Sequence, residues 1–358
     1  MRIAILAHLR HPIAPPFAGG LEAYTWNLAE GLRGRGHEVV LFASGDSDPR
    51  VPLDPIIPVH QERRFPGLEH QGDAGLKAHL DEGYAKACDR IAGGGFDVVH
   101  NNSLSRLALE PRRLAATPTV TSLHVPPYNA LRWFVHASAV PGHRITATSD
   151  ALLRAWWPEG APPGASVLHN GIDPAAWPYS PRGDGSAVWS GRLAAVKGAH
   201  HAIAAARRAG LPLTLFGPIE EPEYWAARVA PNLGGPIRYG GHLAGPALAA
   251  EIGRASVFLF TPCWDEPFGL AAIEAMACGL PVAGFARGAA SEIVGEAGCL
   301  VRCGDEAALA GAIGTALTIP RTVARARVQR LFTRELWLDR CEVLYALARP
   351  AEAAVLAV

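Results

Sequence analysis

The sequence lacks an excess of charge, a membrane-spanning apolar run and a secretory signal. Lys and Arg together number 33, as do Asp and Glu, so the formal net charge is zero. Bulk attraction to nucleic acid or to an anionic membrane is therefore not expected. No apolar run reaches the roughly 20 residues that cross a bilayer, and no cleavage site follows the apolar start "RIAILAH". These absences predict a globular cytoplasmic protein, with peripheral contact to a membrane as the alternative.

Signals for metal and nicotinamide sites are also missing. The six cysteines form no C-x-x-C pair, and no His-x-x-x-His completes a zinc site with Cys299 and Cys303. Free thiols and no metal site are expected. The G-x-G-x-x-G fingerprint does not follow the first apolar run, and the near match that starts at Gly183 precedes a strand. A dehydrogenase therefore ranks last among the candidate enzymes.

The chain alternates short apolar runs with helical stretches, which predicts parallel α/β layers. Its 358 residues suit two domains of about 150 to 180 residues. The Pro/Gly-rich segment 174–186 is the best candidate linker. The sequence thus predicts two Rossmann-like doubly wound domains that face each other across a cleft, at residues 1–172 and 185–333. Strands are predicted at "RIAILAH", "HEVVLFA", "FDVVHNN", "TVTSLH" and "RITATS", then at "AVWSG", "LTLFG", "IRYGG", "VFLFTP", "PVAGF" and "CLVRC".

In each predicted domain, the loop after the first strand contains residues that could bind a phosphate: glycines in the first domain and cations in the second. Gly19 and Gly20 precede a helix, where backbone N–H groups can bind an anion; a flexible turn is the alternative. Arg192 and Lys197 follow the strand "AVWSG" and could clamp a diphosphate at the carboxyl edge of the sheet. Two solvated surface charges are the alternative interpretation.

The stretch "CWDEPFGLAAIEAMACGLPVAG" places two carboxylates around a helix start. The backbone from Phe268 through Gly269 to Leu270 would offer N–H groups and the positive end of the helix dipole to a phosphate. Glu274 leans back toward the helix start. Its neighbours are apolar, and a buried carboxylate needs a partner such as the diol of a ribose. Glu266, in the preceding loop, could hold hydroxyls of a sugar.

These motifs together resemble the retaining glycosyltransferases of family four, which have the GT-B fold. The resemblance runs nearly the full length of the chain. It rests on the Gly19-Gly20 loop, "SLH" at 122–124, "HNGID" at 169–173, "SGRLAAVKG" at 190–198, "EPFGLAAIE" and "RGAASEIV". The segment "LTLFGPIEEPEYW" is similar to the branch that includes a glycosyltransferase of avilamycin assembly.

The resemblance implies a role for each candidate residue. Arg192 and Lys197 would bind the donor diphosphate with help from backbone at Gly19, Gly20 and 268–270. Glu274 would bind ribose hydroxyls, and Glu266 the transferred sugar. His124 would face that sugar from across the cleft; a structural histidine is the alternative. Asn170 would shape the site or form a turn, and the helix at about 335–358 would cross back to the first domain.

The resemblance also implies the chemistry. Such enzymes retain anomeric configuration without cofactor or metal, and their donors are nucleoside-diphosphate sugars, here a UDP- or GDP-sugar. A glycan, a lipid-linked molecule or a natural product would accept the sugar, with contacts expected at 49–75; no nucleic-acid partner is expected. Asparagines in "VVHNNS", where many relatives have a second histidine, suggest a different acceptor side. A sugar-nucleotide epimerase of the same fold and a catalytically silent nucleotide-sugar binding protein are the alternatives.

Overall fold

The chain forms two parallel β-sheets, each with its own hydrophobic core. The computed structural model describes residues 1–68, 73–110, 113–114, 117–128 and 131–349. One compact unit comprises Met1–Leu168 together with the chain from Trp337, and the other comprises His169–Leu336. The α/β fold of two Rossmann-like domains that the sequence predicts is confirmed.

The first unit contains a seven-stranded parallel sheet. Its strand order is β3-β2-β1-β4-β5-β6-β7. The strands are β1 Arg2–Leu6, β2 Glu38–Ser44, β3 Leu53–Ile57, β4 Val98–Asn101, β5 Thr119–Leu123, β6 His143–Ala147 and β7 Ala165–Val167. The helices are α1 Gly20–Gly34, α2 Gln61–Arg64, α3 Ala74–Gly93, α4 Arg106–Leu109, α5 Leu131–Ala137 and α6 Asp150–Trp156.

The alternation of side chains along β1 divides the core of this unit between the two faces of the sheet. Ile3 and Ile5 belong to one buried cluster, which includes residues of α1, whereas Ala4 and Leu6 belong to a second cluster, which includes residues of α3. Because both faces are covered, β1 is apolar and buried from Ile3 to Leu6 without interruption, as expected for a strand of a parallel sheet.

The second unit repeats the arrangement with six parallel strands in the order β10-β9-β8-β11-β12-β13. The strands are β8 Ala187–Ser190, β9 Leu213–Phe216, β10 Ile237–Tyr239, β11 Val257–Phe260, β12 Val282–Phe285 and β13 Gly298–Val301. The helices are α7 Ala199–Ala209, α8 Pro222–Tyr224, α9 Gly245–Arg254, α10 Leu270–Ala277, α11 Ala290–Val294, α12 Glu306–Leu317 and α13 Arg321–Leu331.

The last helix, α14 Arg334–Ala348, completes the core of the first unit. Trp337, Leu338 and Tyr345 are buried there in the same cluster as α1. Gly31 allows this packing, because a Cβ atom at that position would lie 2.7 Å from a methyl group of Leu338. No single helix in the described part of the chain is long and apolar enough to span a bilayer, although the bent pair of α12 and α13 meets those criteria together.

Two strands and one segment differ from the sequence expectations. The sequence missed β3, which contains Pro55 and lies at a sheet edge where the lost N–H is tolerated. It also missed β7, which has only three residues. The Pro/Gly-rich segment 174–186 lies within the second unit instead of between units. There the N–H of Ser180 donates to the carbonyl of Cys278 at 3.1 Å.

Candidate active site

Most of the candidate site residues follow strands at the carboxyl edges of the two sheets. In each sheet the strand order reverses at the first strand, between β1 and β4 and between β8 and β11. Ligands of doubly wound sheets bind beside such reversal points. Arg192 and Lys197 follow β8, and Glu266 follows β11, so the fold places these loops on neighbouring strands.

The second unit brings Lys197 and Glu266 into direct contact. The ammonium nitrogen Nζ of Lys197 donates to Oε2 of Glu266 at 2.7 Å. The indole Nε1–H of Trp264 donates to the same oxygen at 2.9 Å. The Lys197 nitrogen also lies 5.1 Å from the centroid of the Trp264 ring, within the range of a cation–π interaction. Glu266 is 8% exposed, so its charge is largely desolvated and compensated by these two donors.

Backbone contacts fix the loop that carries Lys197. Gly198 has φ +68°, and a Cβ atom there would collide with the carbonyl oxygen of Thr261. The Thr261 hydroxyl donates to the Gly198 carbonyl at 2.9 Å and accepts the indole N–H of Trp189 at 3.1 Å. Glycine is thus required at the end of this loop.

The loop of Glu266 is held from the other side by Gly288. The N–H of Ala289 donates to the Glu266 carbonyl at 2.8 Å. Gly288 has φ +55°, and a Cβ atom there would overlap the backbone of Glu266. The family-like segment "RGAASEIV" therefore supports the backbone of the candidate site.

Arg192 points to a different partner. Its guanidinium forms an ion pair with Glu220, in the loop after β9, and both side chains are about two-fifths exposed. The two loops are also joined by backbone, since the N–H of Leu193 donates to the carbonyl of Pro218 at 2.8 Å. Arg192 lies in the same loop as Lys197, but its charge is paired with that of Glu220.

The start of α10 combines an open helix end with tight packing. Gly269, the N-cap residue, has φ +103° and makes no side-chain capping hydrogen bond. A Cβ atom there would lie 2.9 Å from the ring of Phe260. Phe268 is buried at 3% exposure, so its side chain is not available to a ligand. The first N–H groups of a helix have no partner within the helix, and Leu270 begins that turn.

Glu274 lies one turn inside α10 and is partly buried. The structure gives its carboxylate no hydrogen bond to any other described residue. Burial raises the pKa of this carboxyl to about 7. An acid with its charge this disfavoured is a candidate for binding a donor group.

Asn170 also has an unsatisfied polar atom. Its side chain is 6% exposed, and its Oδ1 is buried without a hydrogen-bond partner in the described chain. The neighbouring His169 is fixed by a 2.7 Å contact between its Nε2 and Oε1 of Glu292. Its ring lies 6.1 Å from that of Phe268. Asn170 therefore follows a residue, His169, that lies close to Phe268 at the start of α10.

In the first unit, Gly19 is the N-cap of α1 and Gly20 its first residue, again without a side-chain cap. The buried carboxylate of Glu22 in that first turn contacts Nε2 of His8 at 3.1 Å. Burial tends to raise the pKa of Glu22, but the contact with His8, a hydrogen bond from its own backbone and the nearby His11 outweigh it, so the pKa lies below its usual value. A Cβ atom at Gly19 would lie 3.1 Å from the Glu22 carboxylate.

His124 follows β5 in the same unit. Its Nε2 lies 3.4 Å from Oδ1 of Asn102, and its ring packs edge-on against Tyr24 at 4.3 Å. Burial lowers the pKa of His124 to about 3, so the imidazole is neutral at physiological pH. A neutral imidazole can bind a hydroxyl but carries no charge to attract a phosphate. Asn102, one of the asparagines in "VVHNNS", is its partner.

Four residues of the site have no role in the sequence-based prediction: Trp264, Thr261, Gly288 and Glu220. Gly288 lies in a motif that the sequence does reveal, and its φ explains the glycine. Trp264 stands two positions before Glu266, so a search for an indole donor beside a carboxylate could have found it. Glu220 and Thr261 contact residues of the loop after β8 only through the tertiary fold, and no local pattern identifies them.

Two family models match the chain. The model described as Glycosyltransferase Family 4 matches residues 18–176, and the model described as Glycosyl transferases group 1 matches residues 185–318. Each match falls largely within one of the two structural units. The two models together account for most of the chain.

Relatives of known activity match this chain over different fractions of its length. A glycogen synthase of Mycobacterium tuberculosis is 34% identical over 187 residues, which is 48% of this chain and 45% of that protein. The match to this relative thus spans less than half of its length. A phosphatidyl-myo-inositol mannosyltransferase of Mycolicibacterium smegmatis is 29% identical over 338 residues, covering 87% of this chain and 84% of that protein.

Solved structures show the same fold. AviGT4, a glycosyltransferase involved in avilamycin A biosynthesis, is 25% identical with a TM-score of 0.73, covering 97% of this chain and 98% of that one. HepE of Anabaena, crystallised with UDP and glucose, is 20% identical with a TM-score of 0.75, covering 97% and 99%. At this lower identity the second likeness supports the fold alone.

Proposed function

Because the chain belongs to glycosyltransferase family 4 and has its GT-B fold, we propose that it transfers a sugar from a nucleoside-diphosphate sugar to an acceptor hydroxyl with retention of anomeric configuration. The observation that carries this proposal is the arrangement around α10. A partly buried Lys197–Glu266 pair precedes an uncapped helix start, and a carboxylate without a partner among the described residues, Glu274, lies one turn inside it.

The donor diphosphate takes the position next to Lys197 and the start of α10. An ammonium group, a second cation at Arg192 and helix N–H groups suit the negative charge of two phosphates. Arg192 can exchange Glu220 for the diphosphate at little cost, since exposed ion pairs contribute little and a diphosphate carries more charge than the carboxylate of Glu220. The leaving diphosphate then gains the stabilisation that lowers the barrier.

The two glutamates bind hydroxyls instead of phosphates. Glu274 accepts hydrogen bonds from the ribose diol, which gives its desolvated carboxylate the donors it lacks. Glu266 has its Oε2 occupied by Lys197 and Trp264 and offers Oε1 to the transferred sugar. For the first unit taken by itself, we propose that His124 binds a hydroxyl and that the start of α1 at Gly19 and Gly20 binds a phosphate.

The reaction needs no protein base. The bond between the anomeric carbon and the diphosphate oxygen breaks, and a bond from that carbon to the acceptor oxygen forms on the same face. The acceptor's hydroxyl proton passes to the departing diphosphate, so the products are a glycoside and a nucleoside diphosphate. A neutral His124 is consistent with hydroxyl binding in this scheme.

Metal independence is part of the proposal, because cations of the protein face the diphosphate. The one Asp-x-Asp in the sequence is Asp46-Ser47-Asp48. Its carboxylates already have partners: Asp46 contacts Nδ1 of His60 at 2.7 Å, and Asp48 accepts from Arg50 at 2.9 Å. Within the described residues, no group of three or more His, Cys, Asp or Glu could hold a metal ion.

UDP-sugars are the first donors to test, followed by GDP-sugars. HepE, which shares the fold, was crystallised with UDP and glucose. The relative from Mycolicibacterium smegmatis is a mannosyltransferase. The acceptors to test with these donors are glycans, lipid-linked molecules and natural products that carry a hydroxyl group. We place the acceptor contacts on the first unit.

The test is the thermal shift of the wild type and of Glu274→Ala with UDP, GDP, dTDP, ADP and NAD. A ligand at a hundred times its dissociation constant adds about 2.7 kcal/mol of stability. One nucleoside diphosphate should stabilise the wild type, with no change on adding EDTA, and should stabilise Glu274→Ala much less. Glu251→Ala, on α9, is the matched control and should respond like the wild type.

Retention is tested on the product once a donor is known. The anomeric proton coupling of the glycoside should match that of the donor. Stabilisation by NAD alone, or by no diphosphate, would refute the donor site, and an inverted product would refute the mechanism. An epimer formed without acceptor would identify the epimerase alternative.

A further inference from the structure

Trp264 contacts both charged groups of the Lys197–Glu266 pair. Its indole N–H donates to Glu266 Oε2 at 2.9 Å, and its ring lies 5.1 Å from the Lys197 nitrogen. The sequence-based roles and the family motif "EPFGLAAIE" leave this residue without a function. One side chain thus contacts a carboxylate through its edge and an ammonium through its face.

These contacts leave the Glu266 carboxylate with one oxygen to offer. Oε2 accepts from both Lys197 and Trp264, whereas Oε1 makes no hydrogen bond in the described part of the chain. Because two fixed donors hold Oε2, the carboxyl group cannot rotate without losing both. Its second oxygen is therefore presented in a single direction.

We infer that Trp264 is a positioning residue, which holds Glu266 so that only Oε1 receives a hydroxyl of the transferred sugar and which holds Lys197 for the diphosphate. This inference rests on the proposed function for the identity of the ligand. The geometry on which it depends exists in the ligand-free protein and can be tested there.

The two contacts of Trp264 can be removed separately. Phenylalanine keeps an aromatic face for Lys197 but lacks the N–H that Glu266 accepts. Leucine removes both. Trp264→Phe should therefore affect the sugar, whereas Trp264→Leu should affect the sugar and the diphosphate. Trp225→Phe is the matched control, a partly buried tryptophan of the same unit whose ring contacts Tyr239.

The binding experiment compares UDP with a UDP-sugar by titration calorimetry, or the nucleotide found in the donor screen. For Trp264→Phe we expect the nucleotide Kd to stay within about threefold of the wild type, since the cation–π contact persists. The Kd of the nucleotide sugar should rise about tenfold, the scale of one hydrogen bond to a charged group. Trp264→Leu should weaken both ligands, and Trp225→Phe neither.

A double-mutant cycle separates positioning from a general structural effect. If Trp264 acts on the sugar through Glu266, then Trp264→Phe should change sugar-nucleotide affinity by less than about twofold in a Glu266→Ala background. Equal losses in both backgrounds would overturn the inference, because the indole would then act without the carboxylate.

The ligand-free protein gives an independent reading. The indole N–H signal of Trp264, assigned by its loss in Trp264→Phe, should exchange slowly with solvent in the wild type and faster in Glu266→Ala. Unchanged exchange would overturn the inference whatever the nucleotide results. If the wild type binds no nucleotide, the proposed function fails, and protection of this proton still decides whether Trp264 holds Glu266.

Discussion

Replacing Glu274 with glutamine should make the ligand-free protein more stable and its nucleotide binding weaker. Burial raises the pKa of Glu274 to about 7 from an ordinary value of 4.5. The folded protein therefore keeps the proton between pH 4.5 and about 7, where the unfolded chain has already released it. As pH rises through this window, the carboxyl reduces the free energy of unfolding, and the full penalty is present above pH 7.

The size of this penalty follows from the displacement of the pKa. A shift from 4.5 to about 7 corresponds to at most about 3 kcal/mol. Glutamine is neutral at every pH and nearly the same shape, so Glu274→Gln should be more stable than the wild type by about 1 to 3 kcal/mol at pH 8. At pH 4.5, where both side chains are neutral in the folded protein, the two proteins should differ by less than about 0.5 kcal/mol.

Nucleotide affinity should change in the opposite direction. An ionised carboxylate accepts from both hydroxyls of a ribose, whereas a glutamine side chain accepts through one atom and donates through the other. We expect Glu274→Gln to lose about tenfold or more in nucleoside-diphosphate affinity at pH 8. A general disturbance of α10 would instead lower both stability and affinity.

The assay is urea unfolding at pH 4.5 and pH 8, paired with calorimetric titration of the nucleotide at pH 8. Glu251→Gln, on the surface of α9, serves as the control and should not change the pH dependence. The reasoning is refuted if Glu274→Gln is no more stable than the wild type at pH 8. It is also refuted if the variant loses as much stability between pH 4.5 and pH 8 as the wild type does.

Two further predictions concern residues that support the site. Gly288→Ala should destabilise the second unit by about 1 to 3 kcal/mol and weaken donor binding, because its Cβ would displace the Glu266 backbone. Denaturation and nucleotide titration measure the two effects. An unchanged Kd would contradict the placement of Glu266 in the donor site. Arg321→Met should reduce stability by about 3 kcal/mol, because it leaves buried carbonyls without donors. The nucleotide Kd, corrected for the folded fraction, should not change. A stability within about 0.5 kcal/mol of the wild type would contradict this. The Arg321 guanidinium donates to four carbonyls, those of Ser180, Gly253, Ala255 and Cys278.

Most strand positions were predictable because these strands form short runs rich in apolar and β-branched residues. All six strands of the second unit and five of the seven in the first coincide with such runs. The edge strands β3 and β7 were missed, since Asp54 and Pro55 interrupt the first and the second, Ala165–Val167, contains small or polar residues before Val167. Local pattern thus identified the interior strands of both sheets and the two edge strands of the second, β10 and β13, and failed at the edges of the first sheet.

For the site, too, some features could be predicted from adjacent residues and others depend on the tertiary fold. The start of α10 can be read from "EPFG", because a proline, a glycine and an apolar helix are adjacent in sequence. The contact of Lys197 with Glu266 joins residues 69 positions apart, so it depends on β8 and β11 being neighbours in the sheet. The partner of Arg192, Glu220, depends likewise on the position of the loop after β9. Residue types were predictable, whereas their pairings required the fold.

The two ends of α10 explain why the site remains receptive without a ligand. At its C-terminal end, the carbonyls of Ala277 and Cys278 accept hydrogen bonds from Arg325 and Arg321 of α13. Cations there complement the negative end of the helix dipole. At the other end, Gly269 provides no side-chain cap. The carbonyls of the C-terminal end therefore already have partners, whereas the N–H groups of the first turn are open to an anion. An anion bound there should gain affinity without any rearrangement of the helix.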